Sequence, residues 1–173
     1  MDTYLEFLVK QKYTFSKIIK VIGLFLLAAI LSFLSFFLAV RNPFVMQFIV
    51  LIWALFFYGA WWISQKLCVE YEYIVTNDEL DVDRITAKKT RKRMLTVSVK
   101  KFEKFGIADK ETIEEIKKEN IKVVLDASSG SKNDTAYYAV FDNKQGWRML
   151  LVFNPTGRML DTFKLYNPRV VNI

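Results

Sequence analysis

Two long apolar runs dominate the sequence, VIGLFLLAAILSFLSFFLAV at residues 21–40 and FVMQFIVLIWALFFYGAWWI at residues 44–63. Only Arg41, Asn42 and Pro43 separate the two runs, and neither run contains a charged residue. At a rise of 1.5 Å per residue, a helix of about 20 residues spans roughly 30 Å, the hydrocarbon thickness of a bilayer. A core helix of a soluble protein is the alternative, but neither run has a polar face. The sequence therefore predicts a hairpin of two transmembrane helices within residues 21–66.

Basic residues flank this hairpin unevenly. Four lysines precede the first run, Lys66 and a basic cluster follow the second, and the connecting turn carries only Arg41. The positive-inside bias then places both termini in the cytoplasm and predicts a multi-pass protein of the cell membrane. Amphipathic rings favour the headgroup level, so the aromatic residues that end the second run are predicted interface anchors. These are Tyr58, Trp61 and Trp62.

Small residues recur at spacings of four, three and four in the first run, namely Ala28, Ser32, Ser35 and Ala39. Small side chains let helix backbones approach closely in lipid, so these four predict a helix-packing seam. The second helix of the same chain is the preferred partner, and a homodimer or another membrane protein is the alternative. No ionisable residue lies inside either run, so the hairpin is interpreted as an anchor and not as an ion path.

The composition argues against an enzyme. The 173 residues include no His and a single Cys, Cys68, and they contain no P-loop, no dinucleotide fingerprint and no nucleophile elbow. Acid pairs such as Glu70 with Glu72 arise by default on an alternating exposed strand. We therefore expect no catalytic residue, no cofactor and no metal site, and we interpret Cys68 as a small strand residue.

The segments outside the hairpin are short. Residues 1–20 are predicted to form a cytoplasmic segment with a short interfacial helix, because Tyr4, Leu5, Leu8 and Val9 lie close to helical spacing. After the hairpin the period changes to two, which predicts strands at residues 67–76 and 79–87 and a third strand through Leu95. A two-residue turn at 88–89 would oppose two arginines, so a bulge is suspected in this region.

The rest of the chain alternates similarly. Residues 109–120 predict a charged surface helix, and residues 121–127, 135–142 and 147–153 predict strands. Asn154 and Pro155 fit the N-cap and first position of a closing helix that runs to about Tyr166. The predicted domain over residues 67–173 is thus mainly antiparallel β with one C-terminal helix.

This order resembles the bacterial pleckstrin-homology-like (PH-like) domains that follow two membrane spans in small bacterial membrane proteins. The resemblance rests on the two spans, on YEYIVTNDELDV at residues 71–82, and on the closing helix after Phe153. It implies a PH-like α+β domain with a bent, barrel-like antiparallel sheet closed at one end by the last helix. It also implies a binding or scaffolding role. The helix at 109–120 is an insertion in this pattern.

Charge is segregated within the predicted domain. Residues 67–83 carry six acids and no base, whereas residues 84–104 carry nine bases and one acid. Basic side chains near an anionic leaflet are attracted to it, so this cluster is a candidate lipid or partner contact. A topology signal, or ion pairing with the acids of neighbouring strands, is the alternative. The candidates are Lys88, Lys89, Arg91, Lys92, Arg93, Lys100 and Lys101.

Two functions follow from these observations. The first is a membrane-anchored, non-enzymatic binding or scaffold protein whose β domain contacts anionic lipid headgroups or a protein partner. The second is a structural subunit of a larger membrane complex that packs through the hairpin. A homo-oligomer is possible in either case. Nucleic acid is not expected as a partner, because no stacking aromatic residues interleave with the basic cluster.

Overall fold

The structure is a computed structural model, and it describes residues 3–13, 15–131, 133–143 and 145–172. The chain divides into two compact units. One unit is helical and comprises Tyr13–Cys68. The other combines Met1–Lys12 with Val69–Ile173, so the helical unit is inserted into the sequence of the β domain.

Helix α1 of the helical unit covers Phe15–Val40, six residues earlier than the predicted start at residue 21. It is 26 residues long with a mean hydropathy of 2.7 in its most apolar window, of which 11% is buried. Among the described residues it alone is long and apolar enough to cross a membrane, by length and composition. A core helix or a signal sequence would pass the same test, so multi-pass topology stays a prediction.

The second apolar run is not one helix. It forms α2 at Pro43–Met46 and α3 at Ile49–Gln65, with a break at residues 47 and 48. The side chain of Asn42 caps α2 by accepting a hydrogen bond from the backbone of Phe44. A continuous helix from residue 44 was therefore a wrong prediction. Helix α3 has 17 residues and packs against α1.

The predicted interfacial helix near the N-terminus is also wrong, because Tyr4–Lys10 forms strand β1. This strand pairs antiparallel with β2, Val69–Thr76, with Val9 opposite Tyr71. Val9 is buried and Leu5 half-buried, which fits the period of a strand. The spacing of the apolar residues fits a helix equally well. What selects the strand is a partner about 65 residues further along the chain, which no local pattern reports.

The first sheet is antiparallel throughout, with the order β1-β2-β3-β4. Strand β3 covers Glu79–Thr86 and strand β4 covers Thr90–Ser98. The inner face of β2 carries Val69, Tyr71, Tyr73 and Val75, all buried, in agreement with the alternation in the sequence.

A β-bulge interrupts the pairing of β3 with β4. Val82 lies opposite Leu95 and Asp83 lies opposite Arg93, so Met94 is the extra residue. A bulge resets the alternation of a strand. Residues 91 and 93 therefore face outward, whereas residues 95 and 97 face the core. The arginines that a two-residue turn would oppose are kept apart by the turn itself, which has three residues, so Arg84 lies opposite Lys92.

The second sheet has the order β5-β7-β8-β6. The insertion predicted as a helix at 109–120 forms α4, and the strand predicted at 121–127 forms β6, which joins the sheet as a parallel edge strand beside β8. Ile116 of α4 packs on Val140 and Leu150. The elements are β5 at Lys104–Ile107, α4 at Lys110–Lys117, β6 at Val123–Asp126, β7 at Tyr137–Asp142 and β8 at Arg148–Phe153.

Helix α5, Gly157–Tyr166, closes the domain. Its buried Phe163 lies 6.1 Å, centroid to centroid, from the rings of Phe102 and Phe153. The helix begins later than predicted, because Thr156 caps it by accepting a hydrogen bond from the backbone of Met159. The predicted cap, Asn154, instead accepts from the Ser129 backbone and donates to the Thr135 carbonyl.

Candidate functional site

Strands β1 to β4 end in a row, which forms one edge of the first sheet at right angles to its two edge strands. The pairing register places Lys10 opposite Glu70, Glu70 opposite Ile85, and Ile85 opposite Arg91. The end of β1, the start of β2 and the β3–β4 turn therefore lie at the same edge. The chain leaves the β domain after Lys12 and returns at residue 69, so this edge is also its connection to the apolar helices.

Two of the seven predicted contact residues are committed to ion pairs within the sheet. A guanidinium nitrogen of Arg91 lies 2.7 Å from Glu72 Oε2. Arg93 Nε lies 2.9 Å from Asp83 Oδ1, and Arg93 Nη1 lies 2.8 Å from Asp81 Oδ2. Glu72 and Asp83 are each 2% exposed, so each needs a cation to compensate for its burial. These two arginines have the cross-strand role that the sequence left open as an alternative.

The surroundings of Glu72 make its ion pair with Arg91 important. Burial raises the pKa of Glu72, the Arg91 guanidinium lowers it, and the Glu6 carboxyl of β1 raises it again. The arginine thus opposes two effects that favour the neutral carboxyl. Removal of Arg91 would leave a nearly inaccessible acid without its countercharge.

Two further candidates, Lys100 and Lys101, lie away from this edge. Strand β4 starts at the β3–β4 turn and ends on the opposite side of the sheet, where Ser98 pairs with Glu79. The short 3-10 helix Val99–Lys101 follows it there. Lys100 Nζ lies 3.4 Å from Asp78 Oδ2. A hydrogen bond from the Ser98 hydroxyl, with Lys100 beside it, holds the pKa of Asp78 below its usual value.

The remaining predicted residues, together with one residue that the prediction missed, form a cluster at the edge. We call Arg84, Lys88, Lys89 and Lys92 the basic edge. All four side chains are exposed, and in the part of the chain that the structure describes none has an ion-pair partner. Arg84 was missed as a site residue because its place opposite Lys92 depends on the length of the turn, which has three residues between the paired Thr86 and Thr90.

The turn that carries the basic edge has an unusual backbone. Ala87 and Lys88 have φ values of 54° and 56°, in the left-handed region, and the Lys89 amide donates to the Thr86 carbonyl. Turns of this hand favour Asn and Gly, so Ala and Lys hold it at a cost. Strain of this kind is more common at functional positions than elsewhere.

Within the helical unit, the small residues of α1 meet α3. Ala28, Ser32 and Ala39 are buried, and Ser35 is half-buried. Trp53 Nε1 of α3 lies 3.0 Å from the Ser32 carbonyl and 3.2 Å from Ser35 Oγ, and it donates to both. The aromatic residues Tyr58, Trp61 and Trp62 are exposed, and Lys66 Nζ lies 3.7 Å from the centroid of the Trp62 ring.

Comparison with known families identifies the domain. A family model described as Bacterial PH-like domain (DUF6106) matches residues 1–173. The chain belongs to this family. No curated protein and no solved structure matches it. Two mainly antiparallel sheets and a C-terminal helix fit a PH-like fold, and such a domain suggests a binding or scaffolding role.

In this bacterial PH-like domain, the apolar helices occupy the connection between the first two strands. The resemblance predicted the helices before the domain, with all strands after them. β1 instead precedes the helices, so the matched family region includes the N-terminal strand. No group of three or more Cys, Asp or Glu side chains suited to a metal ion occurs among the described residues.

Proposed function

We propose that the chain is a membrane-anchored binding protein whose PH-like domain contacts anionic lipid headgroups through the basic edge. One observation carries the proposal. The four exposed, unpaired bases of the basic edge lie at the edge of the sheet through which the chain connects to its apolar helices. The anionic leaflet and the cationic edge are then complementary partners.

The anchor in this proposal is the whole helical hairpin. Helix α1 has the length to span the bilayer, and α3 at 17 residues corresponds to about 26 Å, with α2 extending the same apolar run. The lysines before α1 and after α3 favour a cytoplasmic location for both ends. Trp53 and the small residues of α1 support a hairpin that satisfies its own packing.

The two segments that connect the β domain to the helices are short. Three peptide links join Lys12 to Phe15, and at 3.8 Å per link they reach at most about 11 Å. Four links join Gln65 to Val69, with a reach of about 15 Å. Each base near an anionic surface contributes about 1 kcal/mol within a Debye length of about 8 Å. Four such bases together would contribute about 4 kcal/mol of attraction to an anionic leaflet.

The ion pairs of the sheet sharpen the proposal. Arg91 and Arg93 stabilise the fold, and Lys100 lies at the other end of β4, so they are not part of the proposed contact. The lipid contact is assigned to Arg84, Lys88, Lys89 and Lys92 alone. This division separates binding variants from stability variants, which a test on the whole basic cluster would confuse.

Lysine labelling of the full-length chain tests the proposal. The chain is reconstituted in nanodiscs of phosphatidylcholine with or without phosphatidylglycerol, and acetylation rates are measured by mass spectrometry. We expect slower acetylation of Lys88, Lys89 and Lys92 in the anionic discs, reversed by high salt. Lys110 and Lys117 of α4 are exposed internal controls and should react equally in both discs. Equal rates at all five lysines in both discs would contradict the proposal.

A charge-reversal pair provides the matched variants. Replacement of Lys88, Lys89 and Lys92 by Glu should abolish the difference in labelling between the two kinds of nanodisc at neighbouring surface positions. Glu at positions 110, 117 and 118 changes the net charge equally and should leave it intact. If both triple variants lose the difference, the attraction belongs to the net charge of the domain and not to the basic edge.

A further inference from the structure

The outer edge of β1 is an unpaired row of backbone groups. The Gln11 amide donates to the Val69 carbonyl, and the Asn77 amide donates to the Thr3 carbonyl. In an antiparallel pair every second residue exchanges its hydrogen bonds with the partner, so the odd-numbered residues of β1 bond to β2. The backbone groups of Glu6, Leu8 and Lys10 therefore point away from the sheet, and no described backbone hydrogen bond uses them.

Apolar side chains are exposed along this edge strand, between its charged residues Glu6 and Lys10. Tyr4 is 63% exposed, Leu8 41% and Phe7 38%, and β1 contains no proline and no bulge. Edge strands with exposed apolar residues tend to pair with another strand. A groove of about 530 Å³ runs beside residues 7–10 and is lined also by Pro155, Thr156 and Leu160. Beyond Lys10 the edge is covered, because the Lys12 amide donates to the Ser129 carbonyl.

The charged residues of β1 indicate which sequence an added strand would need. A strand added antiparallel would place residues opposite Lys10, Leu8 and Glu6 in that order. Complementary cross-strand pairs there are an acid, an apolar residue and a base, at every second position. Residues 6–10 of β1, Glu-Phe-Leu-Val-Lys, have this pattern themselves. The strand is therefore its own complement.

We propose that β1 pairs with β1 of a second copy of this chain, around a two-fold axis through Leu8. Leu8 then lies opposite Leu8 of the second copy, and Glu6 lies opposite Lys10 in both directions. Phe7 lies opposite Val9, so the inner faces meet through apolar side chains. A two-fold axis through Glu6 or through Lys10 would oppose like charges instead. The pairing closes as a symmetric dimer and joins two four-stranded sheets.

The side chains at the interface are available for these contacts. Glu6 Oε2 accepts a hydrogen bond from the Tyr4 hydroxyl at 2.8 Å, which positions its carboxylate on the outer face. Lys10 is exposed and has no ion-pair partner in the described part of the chain. The dimer contact uses no residue of the basic edge, so lipid contact and dimerisation are separable.

A charge-swap experiment tests the dimer with the full-length chain in detergent micelles. Wild-type chains carrying two different tags should copurify. Glu6→Lys alone, and Lys10→Glu alone, each create two like-charge pairs and should weaken self-association about tenfold or more. A mixture of the two single variants should associate again, because Lys at position 6 then faces Glu at position 10, and Lys10 faces Glu6.

The outcomes separate the proposal from its alternatives. A monomeric wild type, single variants that associate as the wild type does, or a mixture that fails to associate would each overturn it. If the chain is monomeric and binds the free peptide YLEFLVKQK, the edge takes an isolated segment, and the proposal of a second copy is wrong.

Disulfide crosslinking provides a second readout in membranes. In a background of Cys68→Ser, Leu8→Cys should crosslink to itself, because directly opposite residues have Cα atoms about 5.5 Å apart, within disulfide range. Tyr4→Cys is the control, since four residues from the axis at about 3.3 Å per residue places its two copies about 26 Å apart. Crosslinking of Tyr4→Cys that equals that of Leu8→Cys would overturn the proposed register.

Discussion

At the scale of single residues, the basic cluster divides into structural and free charges. Arg91 and Arg93 neutralise acids that are almost fully buried, whereas Lys88, Lys89 and Lys92 have no described ion pair. An account based on charge counts treats these residues alike. The pairing register separates them, because the three-residue turn at 87–89 places Arg93 opposite Asp83 and Lys92 opposite Arg84.

Replacement of Arg93 by Ala should therefore destabilise the β domain. Asp83 would be left buried with no countercharge, which costs about 2 kcal/mol. The matched variant Lys92→Ala removes an exposed, unpaired base and should change stability by less than about 0.5 kcal/mol. Thermal unfolding of the full-length chain in detergent measures both. Equal losses from the two variants would contradict the division of the cluster.

Asp78 should give the domain a defined pH dependence. Its folded pKa lies below its unfolded pKa, because the Ser98 hydroxyl and Lys100 favour the charged carboxylate. The stabilisation is thus present above the unfolded value of about 3.9 and is lost as pH falls through the folded value. Asp78→Asn should lower the free energy of unfolding at pH 7, and this loss should disappear near pH 2, where Asp78 of the wild type is protonated as well. A penalty that is constant with pH would contradict this assignment, and Glu79→Gln is the exposed control.

At the scale of elements, β1 explains which parts of the fold the sequence could predict. Most strands after the helices follow from their alternation, as the hairpin pairs β2–β3 and β7–β8 show. Strand β5, Lys104–Ile107, was not predicted, because its four residues are too few to show a clear period. β1 was predicted as a helix because Tyr4, Leu5, Leu8 and Val9 lie close to helical spacing, although Leu5, Phe7 and Val9 also alternate as in a strand. Pairing with the distant strand β2 selects the strand over the helix, and the sequence of residues 4–10 alone contains no sign of that partner.

The same limitation applies to the broken second run and to the bulge. Gln47 and Phe48 interrupt a run that is apolar throughout, and composition gives no signal of where it breaks. The bulge was suspected from a like-charge conflict, but its position at Met94 requires the register. The site could be predicted as a basic turn, whereas its membership, including Arg84, could not.

The alternation of hydrogen-bonded residues in β1 predicts that proline destabilises the domain more at one position than at the next. Phe7→Pro removes an amide that bonds to β2, and we expect a loss of about 3 kcal/mol. Leu8→Pro removes an amide that points outward, which an edge strand tolerates, so the loss should be less than half as large. Thermal unfolding measures both variants. A larger loss from Leu8→Pro would contradict this alternation.

At the scale of the whole molecule, the helical unit is an insertion within one domain. Residues 1–12 belong to the same compact unit as residues 69–173, and the Gln11 amide bonds to the Val69 carbonyl where the chain leaves and returns. The apolar helices therefore occupy the place of a hairpin loop. A segment cut after the helices would lack one strand of its first sheet.

Replacement of residues 13–68 by a short glycine-containing loop should yield a folded, soluble domain. The ends to be joined already form a hydrogen-bonded pair, so a hairpin loop can connect them. The matched fragment of residues 67–173 lacks β1, uncovers the edge of β2 and should unfold with low cooperativity. Circular dichroism and urea unfolding compare the two. Equal stability of both proteins would contradict the split domain.

The most direct test of the central claim measures the depth of the basic edge relative to the bilayer. A spin label is attached at Thr90→Cys, beside the basic turn, in a Cys68→Ser chain reconstituted in phosphatidylglycerol-containing vesicles. Accessibility to oxygen and to a water-soluble relaxation agent gives its depth, and a label at Lys117→Cys is the control. We predict that the Thr90 label lies at the headgroup level and moves into water at high salt, while the control label stays in water. A Thr90 label as water-exposed as the control at low salt would contradict the account.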